Sequence, residues 1–321
     1  MNQIFIKCFL GQIMSLLLST AVVSTHYLKS KIEISPFALL GLAYIVIHIF
    51  SQIIYYLSKT KYKINNKNIL YIMVIGMTDF IGGFCLIKGL MKMSSYLGIL
   101  IAQMVYPMSV FTDAFILKQS KVDFKMLSIF MAFVSVCFVV NYKADESDLK
   151  FDFIGMCLVL LSDILYMANG TIQSLIIPSI GVYNVLRYFT IVSFIFGAVM
   201  TKILDKEMIW NLKELGNFYV SNFNNVFSYI FAFCSYYLMA SEYIGKYGIF
   251  AFNASIMSYS IYFGILTMII DLKIRYVVAI GGPLCIIINV ILVMKSKDPR
   301  KEVSKKVGDI FDKKINFNCD V

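Results

Sequence analysis

Apolar stretches long enough to cross a bilayer recur along almost the whole chain. A helix needs about 20 mostly apolar residues to cross roughly 30 Å of hydrocarbon. Ten segments qualify, at approximately 4–25, 36–57, 69–90, 95–117, 124–141, 153–176, 182–204, 218–241, 246–270 and 274–294. Strands of a barrel need only about 9–11 alternating residues, so these lengths predict helices. The connecting loops are short, and the longest polar stretch follows Met294. Hydrophobic residues are 59% of the 321 and charged residues 15%, against about 45–50% apolar in a soluble domain. The expected fold class is an all-α polytopic membrane protein of ten transmembrane helices. Such a chain leaves no room for a soluble catalytic domain, which weighs against an enzyme.

The first segment invites a second reading as a cleaved leader, because STAVVS at 19–24 offers small residues of the kind a signal peptidase accepts. Its apolar run exceeds the usual core of about 7–15 residues, and only Lys7 precedes it, so we read it as a span. Orientation follows from the loop lysines and arginines. With the N-terminus in the cytosol, 16 fall on the inner side, including Lys59, Lys61, Lys63, Lys67, Lys118, Lys121, Lys125 and Lys246, and 11 on the outer side. Both termini are therefore expected in the cytosol, with 295–321 as a basic tail. The net charge of +10 is mainly a topology signal. The tail could touch anionic lipid, although a solvated tail is the plainer reading. No motif points to nucleic acid.

Seven cysteines, six of them in expected spans, lack metal-ligand spacing and read as small buried hydrophobes. With histidine only at 26 and 48, neither a metal site nor a nucleophile–His pair has residues to build on, and no cofactor is expected. The sequons at 169–171 and 253–255 both fall within spans, where glycosylation is physically implausible.

Ten spans divide into five plus five, and short similarities recur at an offset near 150. FIKCFL at 5–10 resembles FIGMCLV at 153–159, GFC at 83–85 resembles AFC at 232–234, and YLGIL at 96–100 resembles KYGIF at 246–250. Because five is odd, a repeated half enters the membrane from the opposite side. Inverted repeats of this kind characterise many secondary transporters, whose sites lie near the midplane where the repeats meet. The expected division is 1–147 and 148–294, followed by the tail.

Charged side chains within a span are costly and face a bundle interior or a cavity, which marks them as candidate functional residues. In TDFIGGFCLIKGL, residues 78–90, Asp79 lies mid-span with Gly82 and Gly83 on its side of the helix. Lys88 follows nine positions on, about 180° around and about 13 Å along, so the two cannot pair within their helix. It lies near the outer end, where its stem can snorkel to water. Asp163 holds the matching position in the second half, with Tyr166, Gly170 and Ser174 on its face. Two midplane acids suit a cationic substrate, a coupled proton, or an ion pair with Arg187 or Lys7. They also suit an interhelical polar lock. Quieter polar stripes run along Asn253, Ser260 and Gly264, along Tyr44, His48, Gln52 and Tyr55, and along Gln12, Ser15 and Ser19. Pro107 and Pro283 are expected to bend their helices.

These residues resemble the F branch of solute carrier family 35, within the drug/metabolite transporter superfamily. Family members carry an intramembrane Asp, a Lys nine residues on, a "TS" region, a Pro and a closing "LK". TDFIGGFCLIKGL, Ser94, Pro107 and Leu117–Lys118 fall in that order here. GMCLVLLSDILYMAN at 155–169 and NASIMSYSIY at 253–262 resemble two further family segments. The chain departs from the pattern at 89–92, where GLMK replaces an aromatic "AYQY", at Ala102, where an acid is usual, and at Ser260, where the family has Asp. The resemblance covers roughly residues 70–295 and carries over Asp79, Lys88, Asn253 and Tyr262. It implies a ten-helix carrier with inverted repeats that moves a small organic solute by alternating access.

The expected substrate-binding residues are Asp79, Asp163, Asn253, Ser260, Tyr262, Tyr166 and Lys88. The expected partners are a small-molecule substrate and membrane lipids, with a homodimer as a possible assembly. Two alternatives stand beside the carrier. One is a nucleotide-sugar antiporter of the secretory pathway. The other is a non-transporting membrane scaffold or receptor on the same fold.

Overall fold

The computed structural model describes residues 2–28, 36–58, 66–116, 124–144, 151–204, 212–272 and 276–296. The expected boundary at 147/148, the basic residues from 297 onward and the loop lysines 59, 61, 63, 118 and 121 lie outside the described residues.

Among the described residues the chain is helical and contains no strand. The elements are α1 (Asn2–Leu28), α2 (Phe37–Leu57), α3 (Asn66–Lys92), α4 (Ser95–Ile101), α5 (Val105–Phe111), α6 (Phe124–Ala144), α7 (Phe153–Ile180), α8 (Val182–Leu204), α9 (Leu212–Ser221), α10 (Phe223–Tyr247), α11 (Ile249–Ile256), α12 (Tyr259–Ile270) and α13 (Tyr276–Lys295). Six helical segments are long and apolar enough to cross a membrane: Gln3–Leu28, Phe37–Leu57, Asn68–Lys92, Phe153–Ile180, Val182–Ile203 and Ile249–Ile270. Shorter apolar stretches run over Ser95–Phe111, Lys125–Cys137 and Gly281–Lys295.

Polarity is distributed as lipid demands. Large apolar side chains face outward, and the α10 rings of Phe223, Phe227 and Phe231 stack one turn apart along its outer face, with centroids 5.8 and 6.3 Å apart. Inside are Asp79, Asp163, Gln103, Asn169, Gln173 and Asn253, each at most 5% exposed. Many buried hydroxyls are absorbed locally, as Thr190 and Thr201 donate to the carbonyls of Leu186 and Gly197 four residues back.

The core forms where α3 packs on α7, α1 on α10, α2 on α8 and α6 on α13. Contact between α3 and α7 is close enough to require glycine on both sides. A Cβ on Gly89 would lie 2.9 Å from the carbonyl oxygen of Gly155, and one on Gly155 would lie 3.1 Å from that of Gly89.

The bundle is fastened at both ends. At one, Lys7 Nζ near the start of α1 donates to the carbonyls of Val293 and Ser296 at 3.1 and 2.8 Å, where α13 finishes. At the other, the Tyr27 hydroxyl donates to Asp271 at 2.5 Å, His26 Nδ1 lies 2.9 Å from Ser95 Oγ, and the Tyr96 and Thr267 hydroxyls are 2.9 Å apart.

Two segments read as continuous spans are broken. In 95–117 a 3₁₀ turn at Ala102–Met104 separates α4 from α5, and Thr112–Ile116 ends the segment as a π-helical turn. Pro107 accounts for the first break, since it has no N–H to give the carbonyl of Gln103 and its ring crowds that carbonyl. In 246–270 the helix breaks at Met257 and Ser258 without proline or glycine. Pro283, by contrast, is held inside a continuous α13. The eighth expected segment, 218–241, becomes α10 at Phe223–Tyr247, because the chain turns at Asn222, whose side-chain amide donates to the carbonyl of Phe218.

Candidate functional site

The breaks leave backbone inside the bundle whose hydrogen bonds must be met there, because hydrocarbon supplies none. Gln103 meets one of them. Its side-chain amide, on the turn between α4 and α5, donates to the carbonyl of Met257 at 2.9 Å, on the turn between α11 and α12. Beside this tie lies a cavity of about 140 Å³ lined by α1, α2, α3, the two broken segments, α7 and α10. Its wall is mostly apolar, with several aromatic rings, and among the described residues no lysine, arginine or histidine lines it.

Asp79 opens onto this cavity from α3 and is 1% exposed. Its carboxylate is saturated by side chains from three other helices. Oδ2 accepts from the Tyr44 hydroxyl of α2 at 2.7 Å, and Oδ1 accepts from Asn169 Nδ2 of α7 at 2.8 Å. The Tyr237 hydroxyl of α10 lies 2.8 and 3.0 Å from the two oxygens. Behind Asn169 the donors continue in one direction: Ser241 Oγ donates to Gln173 Oε1, and Gln173 Nε2 donates to Asn169 Oδ1 at 2.7 Å. Hydrogen-bond donors thus do what a cation would otherwise do. Gly83 makes room for this arrangement, since a Cβ there would stand 3.2 Å from the Tyr166 hydroxyl.

Asp163 borders the same cavity in a different condition. It is 3% exposed, and its Oδ2 is buried with no hydrogen-bond partner. Two further cavity residues carry buried polar atoms in the same state, Gln103 Oε1 and Asn253 Nδ2.

Of the seven residues expected from sequence, Asp79, Asp163, Tyr166 and Asn253 meet at this cavity, and Lys88, Ser260 and Tyr262 do not line it. Lys88 is half-buried, with its ammonium 5.8 Å from the Phe84 ring centroid. Ser260 turns toward α6, 3.7 Å from Cys137 Sγ. Tyr262 donates to Gln12 Oε1 at 3.1 Å, while Gln12 Nε2 donates to Asn289 of α13, a polar cluster separate from the cavity. Among the described residues no ion pair joins either acid to Lys7 or Arg187. Arg187 is stacked on the ring of Tyr55 at 3.6 Å and is reached by Gln52, while His48 Nδ1 lies 2.7 Å from its carbonyl oxygen. The α2 stripe therefore divides, with Tyr44 bonded to Asp79 and the other three residues around Arg187.

Sequence reasoning passed over Gln103, Gln173 and Tyr237 and met Asn169 only as a sequon and as the end of the 155–169 family segment. A signal existed for two of them: Asp163, Tyr166, Asn169 or Gly170, and Gln173 repeat at helical spacing on one face of α7. Both sequon asparagines, Asn169 and Asn253, are buried, at 2% and 1% exposure. Among the described residues no group of three or more His, Cys, Asp or Glu side chains could hold a metal ion.

No family model and no curated protein matches the chain. A solved structure described as "Crystal structure of protein" is similar in fold, with a TM-score of 0.68 over 89% of this chain and 95% of that one, at 13% sequence identity.

Proposed function

We propose that the chain is a secondary-active transporter of a small organic solute, similar to the F branch of solute carrier family 35 and working by alternating access around the cavity. One observation carries the reading. Two broken helices line one cavity and are tied directly through Gln103 and Met257, which stand 154 positions apart. Interrupted helices at corresponding positions of two halves are the best pointer to a carrier's binding site.

The packing supports ten spans in two inverted repeats. Pairing α1 with α7, α2 with α8, α3 with α10, α4–α5 with α11–α12 and α6 with α13 maps the α3–α7 contact onto α10–α1. The same exchange maps α3–α8 onto α10–α2 and returns α2–α8, α5–α11 and α6–α13 to themselves, and all these contacts exist. It also sets the counterpart of Asp79 on α10 and that of Asp163 on α1, so the two acids do not hold the matching positions expected from sequence. Cys137 and Cys285, 148 positions apart, approach to 3.7 Å between sulfurs, as equivalent positions near an axis relating two halves would. The meeting of Lys7 with Ser296 supports both termini on one face of the membrane, and the loop charges favour the cytosol. That no cationic side chain among the described residues lines the cavity weighs against a nucleotide-sugar antiporter.

The test is uptake of a metabolite mixture into proteoliposomes, read by mass spectrometry, with wild type beside Ala240→Trp, which fills the cavity. Accumulation by wild type alone supports the carrier. No saturable accumulation by folded wild-type protein contradicts it and favours the scaffold.

A further inference from the structure

The two acids of the cavity are not equivalent. Asp79 has every oxygen engaged by neutral donors, whereas Asp163 keeps a buried oxygen with no partner and no cation beside it. An uncompensated buried carboxylate is among the costliest groups a protein can hold, and it persists only when something else completes it. That group is a proton or a cation, and in this cavity a cation has to come from the occupant. Gln103 Oε1 is a second acceptor atom in the same state, and Asn253 Nδ2 is the one donor atom among the cavity residues, so unmet acceptor atoms outnumber unmet donor atoms by two to one. The remaining wall is aliphatic and aromatic, with Tyr166, Tyr236, Tyr259 and Phe252 among its rings. Such rings attract a cation through their faces and stack on a flat solute. The volume, about 140 Å³, is close to that of an apolar cavity of about 150 Å³ that accepts benzene.

We propose that the cavity binds a monocationic, single-ring solute, with its ammonium or amidinium group seated between Asp163 Oδ2 and Gln103 Oε1 and its ring against the aromatic wall. Asp163 is the specificity-determining residue, and Asp79 holds α2, α3, α7 and α10 in register around it. The proposal deepens the carrier reading and rests on it only in calling the occupant a substrate.

Binding tests it without transport. Thermal unfolding of the purified full-length chain is followed against rising benzylammonium, phenyltrimethylammonium, benzyl alcohol and benzoate. Both cations are expected to raise the melting temperature saturably. Benzyl alcohol should bind at least tenfold more weakly, and benzoate should have no effect. Asp163→Asn removes a buried charge and is expected to fold, but to lose the preference for cation over alcohol by at least tenfold. Ser260→Ala, outside the cavity, should retain it. Alcohol or benzoate binding as well as the cations, no cation binding to wild type, or an unchanged preference in Asp163→Asn would each overturn the proposal. The ranking in wild type decides even if the variant fails to fold. Uptake of the same cations into proteoliposomes separates the two readings. Binding without uptake leaves the cation site and removes the carrier, whereas saturable uptake of another solute without cation binding does the reverse.

Discussion

The side chain of Gln103 donates to the carbonyl of Met257 at 2.9 Å, joining the turn that interrupts α4–α5 to the one that interrupts α11–α12. Gln103→Leu keeps much of the volume and removes the donor, leaving that carbonyl only the Ser260 hydroxyl at 3.4 Å, at a cost of about 0.5–1.5 kcal/mol. Thermal unfolding in detergent should show the loss. In the carrier account the variant also transports more slowly than its residual fold predicts, because the two broken segments no longer share a fixed spacing.

Tyr44 and Tyr237 reach Asp79 from different helices, so their contributions should be coupled. Each single Tyr→Phe change removes one hydrogen bond to a charged acceptor, worth about 1.5–3 kcal/mol. A double-mutant cycle on unfolding free energy is expected to give an interaction energy of about 0.5–3 kcal/mol. Strict additivity would mean that Asp79 is not held as a unit.

Gly89→Val should be among the most disruptive single changes in the chain. The added side chain meets the Gly155 carbonyl at 2.9 Å and the Val159 side chain at 2.8 Å. Forcing apart the α3–α7 contact is expected to cost at least about 1–3 kcal/mol, as overpacking does in other cores. The readout is recovery of monodisperse protein and its melting temperature. Gly216→Ala has open space around it and should be close to neutral by the same assay.

Arg187→Lys is expected to destabilise despite keeping the charge. The guanidinium lies flat on Tyr55 and also contacts Tyr188 and Gln52, and a lysine ammonium cannot stack or fork in that way. Desolvated cation–π contacts are worth about 2 kcal/mol, which sets the expected loss, measured by thermal unfolding.

How much of this was legible beforehand depended on whether a feature has a local signature. Long apolar runs announce helices directly, so a helical membrane protein followed from 59% hydrophobic residues and their spacing. The break near Gln103 had a local cause in Pro107, but the one at Met257 and Ser258 has neither proline nor glycine, and side chains from other helices make it tolerable, with Gln103 at Met257, Ser15 at Ser255 and Asn289 at Ala254. Asp79 and Asp163 stood out because charge is rare in lipid. Their difference did not, since it depends on which hydroxyls and amides three other helices bring up to each. Ser260 shared the polar spacing of Asn253 and Tyr262 came with the family resemblance, yet neither lines the cavity.

Access to the cavity from each side of the membrane tests the central claim most directly. Ala240 lines the cavity and is small, so Ala240→Cys on a cysteine-free background can report with a membrane-impermeant thiol reagent in vesicles of either orientation. The account predicts labelling from both sides in turn, because alternating access opens one cavity to each. Labelling from one side only, or from neither in folded protein, would contradict it and leave a sealed bundle on the same fold.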